Sequence, residues 1–150
     1  MRPLNLGCGQ NPPAGFVNVD LAPLPGVDVV ADLSRPWPFA DGCTRYMVAS
    51  HVFEHVEDPA LFMCEAWRVL APGGHLDIRV PHWRHPNAFT DPTHRRFCTE
   101  ATFDYWVEGQ GLHIGYGAAY GSPPACFAYA LRRLNGEDRA ELQVVLRKLA

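Results

Sequence analysis

The sequence lacks the features that define several large classes of protein. No run of basic residues occurs along its 150 residues, and the formal net charge is -3 with histidines neutral. Proteins that bind a nucleic acid backbone usually carry a basic face, so this pattern argues against a nucleic acid partner. No apolar run is long enough to span a bilayer, and the N-terminus leads into a strand pattern without a signal peptide. We therefore expect a cytoplasmic protein that binds neither nucleic acid nor membrane.

Paired cysteines are also absent. The five cysteines are odd in number and widely spaced, and no C-x-x-C pair occurs, so neither a zinc ribbon nor a disulfide framework is indicated. Hydrophobic residues make up 47% of the chain and charged residues 19%, which is typical of a folded globular protein. The length predicts a single domain over residues 1–150.

Short apolar runs that stop at a glycine or a polar residue occur throughout the first half of the chain. They predict strands over residues 4–6, 16–19, 27–31, 46–50 and 75–80. A helix is predicted to begin after Asp58, with Pro59 in its first turn, and to end at residues 72–74. Its predicted inward side chains are Leu61, Trp67 and Leu70. Alternating strands and helices predict an α/β domain with a mostly parallel sheet, whose strand ends carry the site.

The second half of the chain is less regular. We predict a proline-rich loop over residues 81–98, a helix from Thr99 to about Val107, and a strand over residues 112–116. A helix is predicted over residues 124–134, followed by a final strand over residues 142–146.

A Gly-x-Gly turn at residues 7–9 ends the first predicted strand. Glycines there allow a sharp turn and a close approach of a ligand to the main chain, and free amides can bind a carboxylate or phosphate. At the ends of the next two strands, Asp20 could accept from both hydroxyls of a ribose and Asp32 from an adenine amino group, with Leu33 packed on the ring. Each residue also has a simpler interpretation as a turn or helix cap. Their recurrence at successive strand ends favours a shared nucleoside site.

These segments carry a resemblance to a known family. Residues 4–9 (L-N-L-G-C-G) resemble motif I of class I S-adenosylmethionine-dependent methyltransferases, and residues 18–20 and 31–33 resemble the ribose and adenine motifs. Three further segments resemble those of the type 11 group: residues 37–39 (W-P-F), 50–56 (S-H-V-F-E-H-V) and 65–74 (E-A-W-R-V-L-A-P-G-G). The resemblance covers roughly residues 4–106.

The resemblance implies a Rossmann-like methyltransferase sheet that binds S-adenosyl-L-methionine. It implies methyl transfer to an oxygen or nitrogen of a small molecule, in which the protein chiefly orients the two partners. The implied cofactor-binding residues are Leu6, Gly7, Cys8, Gly9, Asp20, Leu21, Asp32, Leu33, Ser50 and His51.

The chain departs from the family pattern between its first two strands. Only six residues separate Gly9 from Phe16, whereas a parallel crossover usually needs a dozen or more residues and a helix. We therefore expect a shortened first crossover and an abbreviated C-terminal part. This departure favours, as an alternative, a non-catalytic domain that binds S-adenosylmethionine. A thin sheet with exposed edges also predicts a homodimer.

Histidines are concentrated where the acceptor would bind. We predict His94, His82 and His51 as catalytic residues, because a neutral imidazole can take the proton of a hydroxyl or amine. No metal is assigned to the site. Two alternatives remain for the loop after the fifth strand, namely a metal site formed by His82, His85, Asp91 and His94, or a hydrogen-bonded lid in which Asp91 caps a turn.

Residues 51–55 also match the H-x-x-E-H pattern of zinc peptidases. That pattern needs both histidines on one helix, whereas here it follows a short apolar strand and the predicted helix begins later. A metal-dependent hydrolase is therefore the less favoured alternative function.

Overall fold

The computed structural model describes residues 1–111 and 126–150. Within these ranges seven strands form one sheet. The strands are β1 Leu4–Leu6, β2 Val17–Asp20, β3 Val29–Val30, β4 Thr44–Ser50, β5 Leu70–Pro81, β6 Phe127–Asn135 and β7 Glu141–Lys148. The helices are α1 Pro59–Val69, α2 Asn87–Thr90 and a 3-10 helix at Thr102–Trp106. None of these helices has the length and hydrophobicity needed to cross a bilayer.

The sheet has the strand order β3-β2-β1-β4-β5-β7-β6. Strands β1 to β5 are parallel, and β7 lies antiparallel between β5 and β6. The predicted α/β class with a mostly parallel, Rossmann-like sheet is therefore confirmed. Because β1 pairs with both β2 and β4, the direction of strand addition reverses beside it. Open α/β sheets bind ligands at such a reversal, at the carboxyl ends of the strands.

Helix α1 covers one face of the sheet. Its first turn is capped by Asp58, whose side chain accepts from the Leu61 amide at 3.0 Å. Of the three side chains predicted to point inward, Leu70 is buried and Trp67 packs against the core while partly buried. The prediction is wrong for Leu61, which is only partly buried and lies outside the core cluster. The buried stripe of the helix consists of Phe62, Met63, Ala66 and Val69, which pack on apolar strand residues. The spacing 62-66-69 keeps one helix face toward the sheet.

The opposite face of the sheet carries polar side chains, which are satisfied by hydrogen bonds to one another. Asp77 of β5 is buried and accepts from Tyr46 at 3.1 Å, from Gln143 at 3.0 Å and from Arg79 at 3.2 Å. Burial, followed by the charge of Asp77, raises the pKa of Tyr46 to about 12. The polar residues that alternate along β5 therefore belong to a hydrogen-bonded network. The connections at residues 7–16, 21–28 and 31–43 contain no helix.

The end of the chain differs from its prediction. The helix predicted over residues 124–134 is wrong from Phe127 onward, since that segment is strand β6 and pairs with β7 from Phe127 to Asn135. Its alanine, leucine and arginine residues favour a helix locally, but pairing with β7 overrides this preference. The predicted final strand is confirmed as β7. The strand predicted over residues 112–116 lies outside the described residues, and the helix predicted from Thr99 is a 3-10 helix.

An ion pair fastens the connection between β3 and β4 to helix α1. Arg68 donates to both carboxylate oxygens of Glu65 at 2.7 and 2.8 Å, and to the Phe39 carbonyl at 2.7 Å. Glu65 also accepts from the Trp37 amide at 2.6 Å. The hydrogen bond from Arg68 is the main reason that the pKa of Glu65 is lowered. The E-x-x-R segment of the helix therefore has a structural role.

Replacing Arg68 tests this role. We expect Arg68→Met to lower the free energy of unfolding by about 2 to 3 kcal/mol, because charged hydrogen bonds are lost and a nearly buried carboxylate keeps no partner of opposite charge. Urea denaturation measures the loss, with Arg147→Met on the exposed part of β7 as the matched control. Since the folded pKa of Glu65 is depressed below its ordinary value of 4.5, its stabilisation is present above that value and is lost as pH falls below it and through the lower folded pKa. The variant should show a weaker loss over that range, and equal stability of the two variants would contradict the assignment.

Candidate functional site

A cavity of about 360 Å³ opens at the carboxyl ends of β1, β2 and β4. We call it the larger cavity. It is lined by Gly7, Asp20, Leu21, Asp32, Leu33, Ser34, Val52, His55, Val56, Glu57 and Arg95. Five of the ten predicted cofactor residues are in this lining, and they come from three different strand ends. The structure therefore brings together the glycine turn and both aspartates.

The turn after β1 depends on glycine for two reasons. Gly7 and Gly9 both have φ of +64°, a left-handed conformation that costs other residues about 1 to 2 kcal/mol. A Cβ atom on Gly7 would also lie 2.3 Å from Cγ2 of Val52, whereas a Cβ atom on Gly9 would meet nothing within 4 Å. The loop after β4 thus packs directly on the main chain of Gly7.

Asp20 links this turn to the end of β2. Its carboxylate accepts from the Gly9 amide at 2.9 Å and from the Ala22 amide at 3.0 Å. An ionised carboxylate offers about four acceptor positions, so two remain for a ligand. The adjacent Leu21 is 69% exposed and presents an apolar surface to the same cavity.

Asp32 is held in its ionised form beside Ser34. It accepts from the Ser34 hydroxyl at 2.6 Å and amide at 2.9 Å, and from Arg35 at 3.3 Å. These bonds, that from the Ser34 side chain first, lower the pKa of Asp32. Both Asp32 and Ser34 line the larger cavity.

The other predicted cofactor residues lie outside that lining. Leu6 is fully buried in the core, and the Cys8 amide donates to the Val19 carbonyl at 3.0 Å. Gly9 orients Asp20, as described above. Ser50 ends β4 and pairs in register with Arg79. Contacts of Leu6, Cys8, Gly9, Ser50 and His51 with a cofactor therefore remain predictions.

His51 lies between two carboxylates directly after β4. Its Nε2 is 3.1 Å from an oxygen of Glu141, and its Nδ1 is 3.4 Å from an oxygen of Glu54. These carboxylates, Glu54 first, raise the pKa of His51 and favour the imidazolium form. The residue also has φ of +55°, which is uncommon outside glycine.

His94 lies next to the larger cavity without lining it. Its ring centroid is 4.7 Å from that of His55, which does line the cavity. The Nδ1 atom of His94 is 2.8 Å from the Ala88 carbonyl oxygen. His94, one of the predicted catalytic histidines, therefore contacts the larger cavity indirectly, through the ring of His55.

His82 lies in a different place. It is buried, pairs with Glu100 at 3.1 Å, and lines a second cavity of about 180 Å³ together with His85. The proposed set of metal ligands from residues 82, 85, 91 and 94 is therefore divided, since His94 lies against His55 instead. The alternative role of Asp91 as a turn cap agrees with its acceptance of the Thr93 amide at 2.8 Å.

Several lining residues were missed by sequence reasoning. Val52, His55, Val56 and Glu57 belong to the segment after β4 that resembles the type 11 group, so the resemblance was the available signal. This segment is not helical, and the H-x-x-E-H pattern therefore lacks the helix that the peptidase reading requires. Arg95 belongs to the loop after β5, which is distant in sequence, and its amide donates to the Glu54 carbonyl at 2.8 Å.

The strand order, the antiparallel β7 and a cavity at the reversal beside β1 are together typical of class I methyltransferases. Residues 8–78 match the profile of the type 11 family, described as "Methyltransferase domain". The match covers just under half of the chain and confirms the predicted class I, type 11-like resemblance.

One curated relative is 40% identical over 60 residues, which is 40% of this chain and 17% of the relative. It is an uncharacterized 37.1 kDa protein in transposon TN4556 of Streptomyces fradiae. The chain therefore spans well under two thirds of the length of this relative.

Solved structures share the fold at low sequence identity. The complex of the Haloferax volcanii Trm112 methyltransferase activator with a methyltransferase matches with a TM-score of 0.70 and 14% identity, over 99% of this chain and 82% of that one. A Burkholderia thailandensis 1,6-didemethyltoxoflavin-N1-methyltransferase, with its substrate and S-adenosylhomocysteine bound, matches with a TM-score of 0.66 and 16% identity, over 99% and 71%. An Aquifex aeolicus SAM dependent methyltransferase matches with a TM-score of 0.65 and 16% identity, over 99% and 82%.

The two glycines of the turn allow a matched test. We expect Gly9→Ala to lose about 1 to 2 kcal/mol of unfolding free energy from backbone strain alone. Gly7→Ala should lose about 1 to 3 kcal/mol more, because its methyl group overlaps the Val52 side chain. Chemical denaturation measures both, and Gly7→Ala combined with Val52→Ala should recover part of the extra loss. Equal stability of the two single variants would show that the close contact is absent.

Proposed function

We propose that this chain is an S-adenosylmethionine-dependent methyltransferase that acts on a small molecule through an oxygen or nitrogen nucleophile. The observation that supports this most strongly is the convergence of Gly7, Asp20, Asp32 and Leu33 on one cavity. Its volume of about 360 Å³ falls within the usual range of small-ligand sites. The matched methyltransferase family supports the same reaction class.

The cofactor is proposed to lie along this lining. Asp20 would accept from the ribose hydroxyls, and Asp32 and Leu33 would contact the adenine. The first crossover contains no helix, so no helix dipole assists there. The amides of Cys8 and Gly9 already donate to Val19 and Asp20, so the Gly7 amide would be the one in this turn that takes the methionine carboxylate.

The reaction needs little from the protein beyond orientation. A lone pair of the acceptor forms a bond to the methyl carbon while the carbon–sulfur bond breaks, and its electron pair stays on sulfur as S-adenosylhomocysteine. The acceptor loses its proton to a neighbouring base or to water. Effective alignment of the reacting atoms supplies most of the rate gain in such transfers.

The acceptor is proposed to approach from the side of His55 and Arg95. Both line the same cavity and come from later parts of the chain than the two aspartates. One side-chain atom each of His94 and Glu54 lies within 4.8 Å of a ring nitrogen of His55. The net charge of -3 supports a small acceptor rather than a nucleic acid. A structural neighbour carries a small-molecule substrate, which is consistent with this choice.

A non-catalytic binding domain is the second reading, and the helix-free first crossover favours it. The ionisable groups that cluster beside the cavity are unnecessary for cofactor binding alone, so we favour the enzyme. A cytoplasmic location is also inferred, because the odd number and wide spacing of the cysteines favour reduced thiols, which are usual there. The expected homodimer would use the edge of the sheet formed by β6.

Cofactor binding is tested with two aspartates of similar setting. We expect Asp20→Asn to weaken S-adenosylhomocysteine binding about tenfold or more, because a charged acceptor of the ribose hydroxyls is lost. Asp28→Asn is the control, since Asp28 also accepts a backbone amide, that of Asn18 at 2.8 Å, but lies outside the cavity lining. Isothermal titration calorimetry gives both affinities, and unchanged binding in Asp20→Asn would contradict the cofactor assignment.

Turnover separates the histidines. We expect His94→Ala to reduce methyl transfer from labelled S-adenosylmethionine into a metabolite extract by about 100-fold, with S-adenosylhomocysteine affinity within twofold of the unaltered protein. His82→Ala should keep the full rate, because His82 lines the second cavity. A full rate in His94→Ala, or a comparable loss in His82→Ala, would remove His94 from the acceptor side of the site.

A further inference from the structure

Three side chains from two loops meet beside the larger cavity. Glu54 and His55 follow β4, and His94 belongs to the loop after β5. One carboxylate oxygen and one imidazole nitrogen from each histidine lie within 4.8 Å of one another. In the described part of the chain, these residues form the group that is suited by type and spacing to hold a metal ion.

Glu54 is the residue that most needs a positive partner. It is 1% exposed, and neither carboxylate oxygen has a hydrogen-bond donor among the described residues. The nearest cation is the half-exposed imidazolium of His51, which lies 3.4 Å from one Glu54 oxygen and is shared with Glu141 at 3.1 Å, so it offsets only part of the cost of burying Glu54. The nearby Arg96 donates instead to the carbonyls of Phe53 and Val56. Burying a carboxylate without donors is costly, so the arrangement favours a bound cation.

Both histidines are oriented as metal-binding histidines usually are. Nδ1 of His94 faces the Ala88 carbonyl at 2.8 Å, which fixes it as the protonated nitrogen. Nδ1 of His55 is 3.0 Å from the Thr93 hydroxyl, whose own proton goes to Asp91 at 2.7 Å. This leaves Nε2 of each ring as the nitrogen with the lone pair, that of His94 lying 3.9 Å from an oxygen of Asp91. A neighbouring acceptor on Nδ1 is the pattern that prepares histidine for a metal. Asp91 and Thr93 thereby acquire a role in orienting the His55 ring.

We propose that Glu54, His55 and His94 form a binding site for one divalent transition-metal ion at the edge of the larger cavity. Two imidazoles and one carboxylate suit Mn²⁺, Fe²⁺ or Zn²⁺ and leave coordination positions open. Ligand atoms on one ion lie at most about 4.2 Å apart, so the three side chains would draw closer together around a bound ion.

The catalytic consequence rests on the proposed methyltransferase function. His55 belongs both to this group and to the cavity lining, so an ion held there lies beside the acceptor. It would bind an acceptor oxygen and lower the pKa of a hydroxyl group, and His94 would then serve the acceptor as a ligand of the ion in place of a base. The inference therefore selects a hydroxyl-bearing acceptor over an amine.

The test titrates chelator-treated protein with Mn²⁺ and, separately, with Zn²⁺ in the absence of cofactor. Calorimetry follows both ions, and the electron paramagnetic resonance signal of free Mn²⁺ follows the first. We expect one ion per chain. Glu54→Gln, which preserves shape and removes charge, and His94→Ala should each weaken binding at least tenfold. His85→Ala is the control, because His85 pairs with Asp138 in the second cavity and should leave binding unchanged.

Urea denaturation of each variant identifies any loss that reflects unfolding, and the variant that folds then decides the outcome. Absence of Mn²⁺ and Zn²⁺ binding by the unaltered protein would overturn the proposal. So would unchanged affinity in a folded Glu54→Gln or His94→Ala variant, or loss of binding in His85→Ala. S-adenosylhomocysteine titrated into the metal-free protein is a separate measurement, so failure of the metal site and failure of the methyltransferase assignment are distinguishable.

Discussion

The contact between the main chain of Gly7 and the side chain of Val52 is the constraint on which the site depends. It leaves no space for a side chain on Gly7, and so it brings the loop after β1 against the loop after β4. Those two loops form neighbouring walls of the larger cavity. The hydrogen bond from Gly9 to Asp20 then ties the end of β2 to the same turn. The loops after β1, β2 and β4 are thereby held against one another, and their strands are paired in register. The cavity at the strand reversal follows from this packing.

This arrangement is achieved with little helical support. Helix α1 covers one face of the sheet, and the connections between the first four strands contain no helix. The other face compensates with buried polar pairs, in which Asn5 donates to Asn18 at 3.0 Å and Gln143 donates to Asp77 at 3.0 Å. Buried polar groups that satisfy one another avoid the cost of lost hydration. These hydrogen bonds therefore help to stabilise the sheet where no helix covers it. The short connections still leave the strand ends free to line the larger cavity.

Sequence reasoning succeeded where the determinant was local. Gly7, Asp20 and Asp32 were identified because each follows directly on a short apolar strand, and parallel pairing places such positions on one edge. It failed where the partner is distant in sequence. The role of His55 depends on His94, and the strand character of β6 depends on pairing with β7, which outweighs local helix propensity. The position of Leu61 in α1 was misjudged because the neighbouring Phe62 and Met63 are also apolar, and the sequence alone does not show which of these side chains face the sheet.

A crystal structure of the chain with S-adenosylhomocysteine tests the central claim most directly. The account predicts the adenosyl group in the larger cavity, with the ribose hydroxyls within hydrogen-bond distance of Asp20 and the adenine beside Asp32 and Leu33. A nucleoside bound in the second cavity, or one whose ribose contacts neither oxygen of Asp20, would contradict it.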